Sequence, residues 1–174
     1  SRLLRIMGYS VYDTDSEAKR LMESSLEVVQ KLSECFGRDI YHNGRLNRGL
    51  LSSRVFGKSD KIVLLNSIVH PVVRFDFYRW SESLNEEICF VESAILYESR
   101  FDELVDEVWT VTAPEELRIG RVRERSGLTE EEIKKRMAAQ LSEEEKQRRA
   151  AHIIWNDGNV SVIHRVLSLL KSLE

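Results

Sequence analysis

Asp13-Thr14-Asp15 is the first stretch of this sequence whose residue types and spacing could do chemistry. It follows Val11-Tyr12 and reads as the end of a short buried strand carrying two carboxylates two residues apart. Ligands of open α/β sheets bind beyond the carboxyl ends of the strands. Along extended backbone Asp13 and Asp15 would point to the same side. Such a pair can divide its labour, one carboxylate accepting a proton and the other holding a metal ion or a water. The plainer alternative makes Asp15 the N-cap of the following helix. Glu92 closes the apolar run Ile88-Cys89-Phe90-Val91. It is a third carboxylate expected at a strand end, as a ligand contact or as a cap.

Cations form the second group. Arg118, Arg121 and Arg125 fall at spacings of three and four, so they share one helical face. Guanidinium groups match phosphate oxygens in geometry and charge. Alternatively, they pair on a solvated face with Glu115, Glu116 and Glu124. His70-Pro71, with Arg74 one turn further on, offers an imidazole to an anionic or sugar group, or is simply a histidine at a helix junction.

Gly57-Lys58-Ser59 looks like the end of a phosphate-binding loop, but that loop needs a glycine where Ser52 stands. No GxxxxGK[ST] occurs in these residues, nor any GxGxxG, CxxC, HExxH or GxSxG. Direct readings as a dinucleotide dehydrogenase, a zinc protease or an α/β-hydrolase fall away.

The elements that must position these residues follow from length and pattern. The 174 residues carry a net charge of −3, with 42% hydrophobic and 32% charged residues. That suits one domain with a real core, and the acidic balance argues against a general nucleic-acid partner. Only 8 glycines and 2 prolines occur, which favours many helices. No apolar run reaches the roughly 18 residues of a membrane span. Cys35 and Cys89 give neither a disulfide framework nor a zinc spacing, and both are expected as buried thiols in a reducing, cytosolic compartment.

Ser1 to Gly8 reads as the second half of a helix closed by Gly8, so further residues are expected upstream. A helix is expected over 17–36, with Ala18, Leu21, Met22, Val28, Val29, Leu32 and Phe36 apolar, and Asn43-Gly44 forms a turn. Two short helices are expected over 46–56 and 60–69, the second capped by Ser59 or Asp60. Pro71 opens a further helix bearing Val73, Phe77, Trp80 and Leu84. Ile88–Val91, Val108–Val111 and His152–Trp155 read as strands buried in a parallel sheet. Thr129 with Glu132, and Ser142 with Glu145, fit capping boxes. The C-terminal helix is expected to bury Val160, Ile163, Val166, Leu167 and Leu170. Strands alternating with helices make an α/β fold with a parallel sheet. The charged stretch Arg118–Arg149 reads as a solvated arm or a mobile lid.

In order and spacing, these pieces resemble the dephospho-coenzyme A kinase family. The resemblance runs from Val11-Tyr12-Asp13-Thr14-Asp15-Ser16-Glu17-Ala18-Lys19-Arg20 through Gly44-Arg45-Leu46-Asn47-Arg48, Val55-Phe56 and Leu65-Asn66-Ser67-Ile68-Val69-His70-Pro71. It continues with Phe90 to Glu98, Pro114 to Leu117, Arg121-Val122-Arg123-Glu124-Arg125, Arg136 to Gln140 and Asn156-Asp157-Gly158.

The resemblance implies a P-loop fold of the nucleotide-kinase type, a parallel sheet with helices on both faces. Residues 1–16, 88–117 and 151–174 would form the nucleotide-binding core, 17–87 the helical region for dephospho-coenzyme A, and 118–150 the lid. It implies ATP-dependent phosphorylation of the ribose 3′-hydroxyl of dephospho-coenzyme A, the last step of coenzyme A biosynthesis. That reaction takes ATP and Mg²⁺, in the cytoplasm, with no nucleic-acid or membrane partner.

Carried over position by position, Asp15 is the general base and Asp13 lies near Mg²⁺ or its waters. Arg48, His70, Pro71 and Glu92 face the acceptor, Arg121 and Arg125 are lid arginines, and Asn156 lies by the adenine. The metal ligands themselves are unassigned. Thr14 stands where alanine is common, Ser126 where Arg-Asp-Gly is usual, and Trp155 where aspartate often precedes the asparagine. The family's phosphate-binding loop would stand upstream of Ser1, and residues 1–174 alone would then not transfer phosphate. Two other readings compete: another nucleotide or nucleoside kinase of the same superfamily, and a non-catalytic α/β binding module with a charged arm.

Overall fold

The chain enters through helix α1 (Arg2–Ile6) and turns at Gly8, whose φ of +94° is the left-handed conformation glycine supplies after a helix end. Strand β1 (Val11–Asp13) leads directly into α2 (Thr14–Ser24). The helix expected over 17–36 is two helices. Ser25 is extended (φ −82°, ψ 114°), and its hydroxyl accepts the Val28 N–H at 3.5 Å, opening α3 (Leu26–Phe36). Serine competes for local backbone groups, so it favours a cap over a helix interior. After a 3₁₀ turn at Arg38–Ile40 come β2 (Tyr41–His42) and β3 (Arg45–Leu46), an antiparallel hairpin. Asn43 and Gly44 make its turn with φ of 49° and 75°, as a two-residue hairpin turn of primed type requires.

Asn47 caps α4 (Arg48–Val55) by accepting the Leu50 N–H at 3.0 Å. Next comes α5 (Ser59–Ser83), 25 residues long. The helix expected over 60–69 and the one expected to open at Pro71 are this single element, with Pro71 inside it. Proline removes one i→i−4 bond. The stripe Ile68, Val69, Val73 and Phe77 is buried on both sides of Pro71, so packing holds the helix through the break. Neither Ser59 nor Asp60 caps it; Lys58 stands at the cap position without a side-chain bond. Strand β4 (Phe90–Glu92) then pairs in parallel with β1, Val11 opposite Phe90, Tyr12 opposite Val91 and Asp13 opposite Glu92.

A 3₁₀ turn (Phe101–Leu104) precedes β5 (Trp109–Thr112), α6 (Glu115–Ser126), α7 (Glu130–Ala138), α8 (Glu143–Arg149), β6 (His152–Trp155) and α9 (Val162–Lys171). β5 and β6 pair in parallel, from Trp109 opposite His152 to Thr112 opposite Trp155. The charged stretch is thus three helices, two of which bury Ile119 and Ile133. Thr129 and Glu132 form the full reciprocal capping box. Ser142 accepts the Glu145 N–H, while the Glu145 carboxylate turns to Arg148. On α9 the buried positions are Val166, Leu169 and Leu170, whereas Ile163 and Leu167 are exposed and Val160 is exposed ahead of the helix.

The computed structural model describes residues 1–173, in two compact units divided between Ser93 and Ala94. The core of the first includes Tyr12, Leu21, Val28, Leu32, Phe36, Ile40, Val73 and Phe77; that of the second includes Phe101, Ile119, Ile133, Ile154 and Leu169. Among the described residues no helix is long and apolar enough to cross a membrane. The cysteines are not both buried as expected: Cys35 is exposed and Cys89 intermediate. The buried stripe of α3 is Val28, Leu32 and Phe36, with Val29 and Ser33 half-buried beside it, which leaves Cys35 on the opposite flank. Leu32 is fully buried, so Leu32→Ala should cost about 2–5 kcal/mol in a urea melt. Cys35→Ala should stay within about 0.5 kcal/mol.

Candidate functional site

In the first unit the site is built at the carboxyl end of the β1–β4 pair. The register sets Asp13 beside Glu92 as the last residues of the two strands. The cap that the sequence allowed Asp15 belongs to Asp13: its Oδ1 accepts the Ser16 N–H at 3.0 Å. Extended backbone therefore ends at Asp13, and the alternation that would have aligned the two aspartates does not continue. Asp15 lies in the first turn of α2, exposed. Thr14 between them is 7% exposed, and its hydroxyl donates to the Glu92 carbonyl at 3.0 Å. An alanine could not make that bond, so Thr14 ties the two strand ends together. Among the described residues no group of three or more His, Cys, Asp or Glu side chains is placed to hold a metal ion. Asp13, Asp15 and Glu92 are thus a carboxylate edge and not a closed metal cage.

His70 and Pro71 lie within α5. His70 is half-buried, its imidazole has no hydrogen-bond partner among the described residues, and burial holds its pKa below the ordinary 6.5. Pro71 is exposed. Arg48 is the first residue of α4, exposed, and pairs with Glu23 of α2 at 3.3 Å. Exposed pairs of this kind contribute little stability.

The three arginines that the spacing placed on one face all lie on α6, but the second unit gives them different partners. Arg118 donates to the Ala113 carbonyl at 3.0 Å and pairs with Glu143 at 3.2 Å. Arg121 donates to the Asn156 carbonyl at 2.6 Å. Arg125 is exposed and makes no hydrogen bond or ion pair with a described residue. The Asn156 N–H donates to the Thr112 carbonyl at 2.8 Å, so both backbone groups of Asn156 are engaged and its side-chain amide is left over.

Sequence reasoning did not single out Glu143. Its carboxylate accepts from the hydroxyl of Thr112, 2% exposed, at 3.0 Å and also pairs with Lys146 at 3.6 Å. Beside it a cavity of about 550 Å³ is lined by Arg118, Lys134, Met137, Gln140, Glu143 and Lys146. Its cations are already paired: Lys134 with Glu130, Arg118 and Lys146 with Glu143.

Glu143→Ala should destabilise the protein by about 1–3 kcal/mol, because it removes the acceptor of a buried hydroxyl and the charge partner of a part-buried guanidinium. Arg125→Ala should change stability by no more than about 0.5 kcal/mol. Thermal melts compare the two. For His70, the unfolded chain takes up a proton first as pH falls through 6.5, so native stability declines on acidification through that value. His70→Asn should flatten this decline, read as the difference in Tm above and below that pH.

The sequence profile described as dephospho-CoA kinase matches residues 1–161. A dephospho-CoA kinase of Porphyromonas gingivalis is 36% identical over 174 residues, covering 99% of this chain and 86% of the relative. One from Corynebacterium diphtheriae is 35% identical over 170 residues, covering 95% and 85%. A crystal structure from Thermus thermophilus superposes with a TM-score of 0.85 at 33% identity, over 99% of this chain and 88% of that one. A dephospho-CoA kinase structure from Campylobacter jejuni, at 22% identity and a TM-score of 0.71 over 99% and 88%, shares the fold. With parallel strands joined through helices and a family match over most of its length, the chain belongs to the dephospho-CoA kinase family and has the fold of the P-loop kinases.

Proposed function

We propose that the protein transfers the γ-phosphoryl group of ATP to the ribose 3′-hydroxyl of dephospho-coenzyme A, the step that completes coenzyme A. The observation that carries this reading, beside the family match, is the exposed Asp15 carboxylate directly beyond the end of β1. Phosphoryl transfer depends mainly on positioning and charge stabilisation. The 3′-oxygen bonds to the γ-phosphorus, the bond from that phosphorus to the oxygen of ADP breaks, and the hydroxyl proton passes to Asp15. Asp13 keeps its backbone cap and so holds α2, and with it Asp15, at the strand end.

The reading assigns residues 17–87, with Arg48, His70, Pro71 and Glu92, to the acceptor. It assigns 118–150 to a lid and 1–16, 88–117 and 151–174 to the nucleotide core. Arg125 gives none of its donors to a described residue and so can offer them to phosphate oxygens, and Arg121 can offer those not given to Asn156. The Asn156 side chain meets the adenine edge. Mg²⁺ typically takes one or two carboxylates together with substrate phosphates, a donor set that Asp13 fits through the carboxylate oxygen not used in capping. The ion supplies charge neutralisation of the triphosphate. The reading sets the reaction in the cytoplasm, which suits an exposed free thiol at Cys35, and it involves neither nucleic acid nor membrane.

In the full-length protein Asp15→Asn should lower kcat by about 10²–10⁴-fold, leaving the KM for ATP and the melting temperature near their parent values. Asp13→Ala should cost about 1 kcal/mol as a lost cap, whereas Asp13→Asn keeps the capping oxygen. Steady-state kinetics with dephospho-coenzyme A decide the point: near-normal kcat in Asp15→Asn removes it as the base. Residues 1–174 contain no Gly-x₄-Gly-Lys-Ser/Thr loop, so by themselves they should show no ATP-dependent 3′-phosphorylation.

A further inference from the structure

One carboxylate oxygen in the first unit joins three elements. The hydroxyl of Tyr12, on β1, donates to Asp76 Oδ2 on α5 at 2.7 Å. The Arg20 guanidinium, on α2, donates to the same Oδ2 at 2.8 Å and pairs at its other edge with Glu17. Tyr12 is 3% exposed, and its ring centroid lies 5.3 Å from those of both Phe77 and Trp80. Every tie leads to a residue of the proposed chemistry. Tyr12 immediately precedes Asp13, Arg20 shares α2 with Asp15, and Asp76 follows His70 on α5 by less than two turns.

The ring contacts of Tyr12 with Phe77 and Trp80 can hold α5 near β1 but are non-directional, and the same hydroxyl reaches the Val73 carbonyl only at 3.4 Å. A hydrogen bond from a phenol fixed in an aromatic cluster is directional and admits one setting of the helix. Misplacement by about 1 Å can cost on the order of 10² in rate.

We infer that Asp76 is a positioning residue: through Tyr12 and Arg20 it sets the acceptor-side helix α5 against the strand end that carries Asp13 and Asp15. The inference rests on the proposed acceptor role of α5. It predicts an effect on the acceptor and not on the nucleotide, a separation that simple destabilisation does not produce.

The test uses the full-length protein with Tyr12→Phe, Asp76→Asn and the double variant, at a temperature where each is folded. Tyr12→Phe keeps the ring and its packing, so it reports even if Asp76→Asn does not fold. Each single variant should lower kcat/KM for dephospho-coenzyme A by about tenfold, with KM for ATP unchanged within about twofold, and the double variant should fall little below Asp76→Asn because the Tyr12–Asp76 bond is common to both substitutions. A lower melting temperature with unchanged kinetics, or equal changes in both KM values, overturns the inference and leaves Asp76 a structural clamp. If the parent protein fails to phosphorylate dephospho-coenzyme A, the functional reading itself fails and takes the inference with it. An active parent with kinetically normal variants removes the inference alone.

Discussion

The in-register pairing of β1 with β4 is the constraint on which the carboxylate edge depends. Side chains alternate along a strand, so slipping the pairing by one residue reverses every face. In the observed register Tyr12 is buried while Asp13 and Glu92 leave the pair side by side. A slip would exchange Tyr12 and Asp13, pushing a carboxylate towards the aromatic cluster at high cost. Two bonds hold the register where the strands end. The Thr14 hydroxyl closes on the Glu92 carbonyl, and the Asp13 carboxylate closes on the first turn of α2. Asp15 owes its exposed place to both, since it follows a strand end that cannot shift and starts a helix that cannot fray.

The second unit meets a different problem, three helices of high charge with few apolar side chains to anchor them. The solution is polar. Glu143 accepts from the nearly inaccessible Thr112 hydroxyl and pairs with Arg118 and Lys146, joining the end of β5 to α6 and α8. Gln147 adds a second bond to the same hydroxyl at 3.3 Å. A carboxylate only about a quarter exposed is tolerable because its oxygens are matched by donors.

What the sequence made legible was local. The bounds of the His152–Trp155 strand, the Asn43-Gly44 turn and the Thr129/Glu132 capping box need only neighbouring residues and are present as read, although Trp155 is exposed where a buried strand was expected. The order of short motifs was legible as well, because it carried a family resemblance that no single motif could. What escaped was non-local. The continuity of α5 across Pro71 is decided by packing on Val69 and Val73, not by the proline. The choice of Asp13 over Asp15 as the cap follows from where β4 lets the strand end. Asp76 and Glu143 lie 64 and 31 residues from Tyr12 and Thr112, and neither pattern nor propensity links such positions. Cys35 misled because a helix end was read as part of the buried stripe.

The arginines show how the same residue type is sorted between fold and chemistry. A guanidinium serves a phosphate well only if moving it there leaves nothing worse behind. Drawing Arg118 away would leave Glu143 part-buried with one partner fewer, a penalty that offsets much of what the phosphate contact contributes. Arg121 has given one donor to the Asn156 carbonyl but keeps the rest of its planar fork. Arg125 has no partner to lose among the described residues, and in solvent its charge carries little cost. On a chain of net charge −3, positive potential for a triphosphate must be local, and it is most available where pairing is least complete. Spacing put all three arginines on one face and the resemblance took Arg121 and Arg125 for the lid; by what each already holds, Arg118 is the most engaged of the three and Arg125 the least.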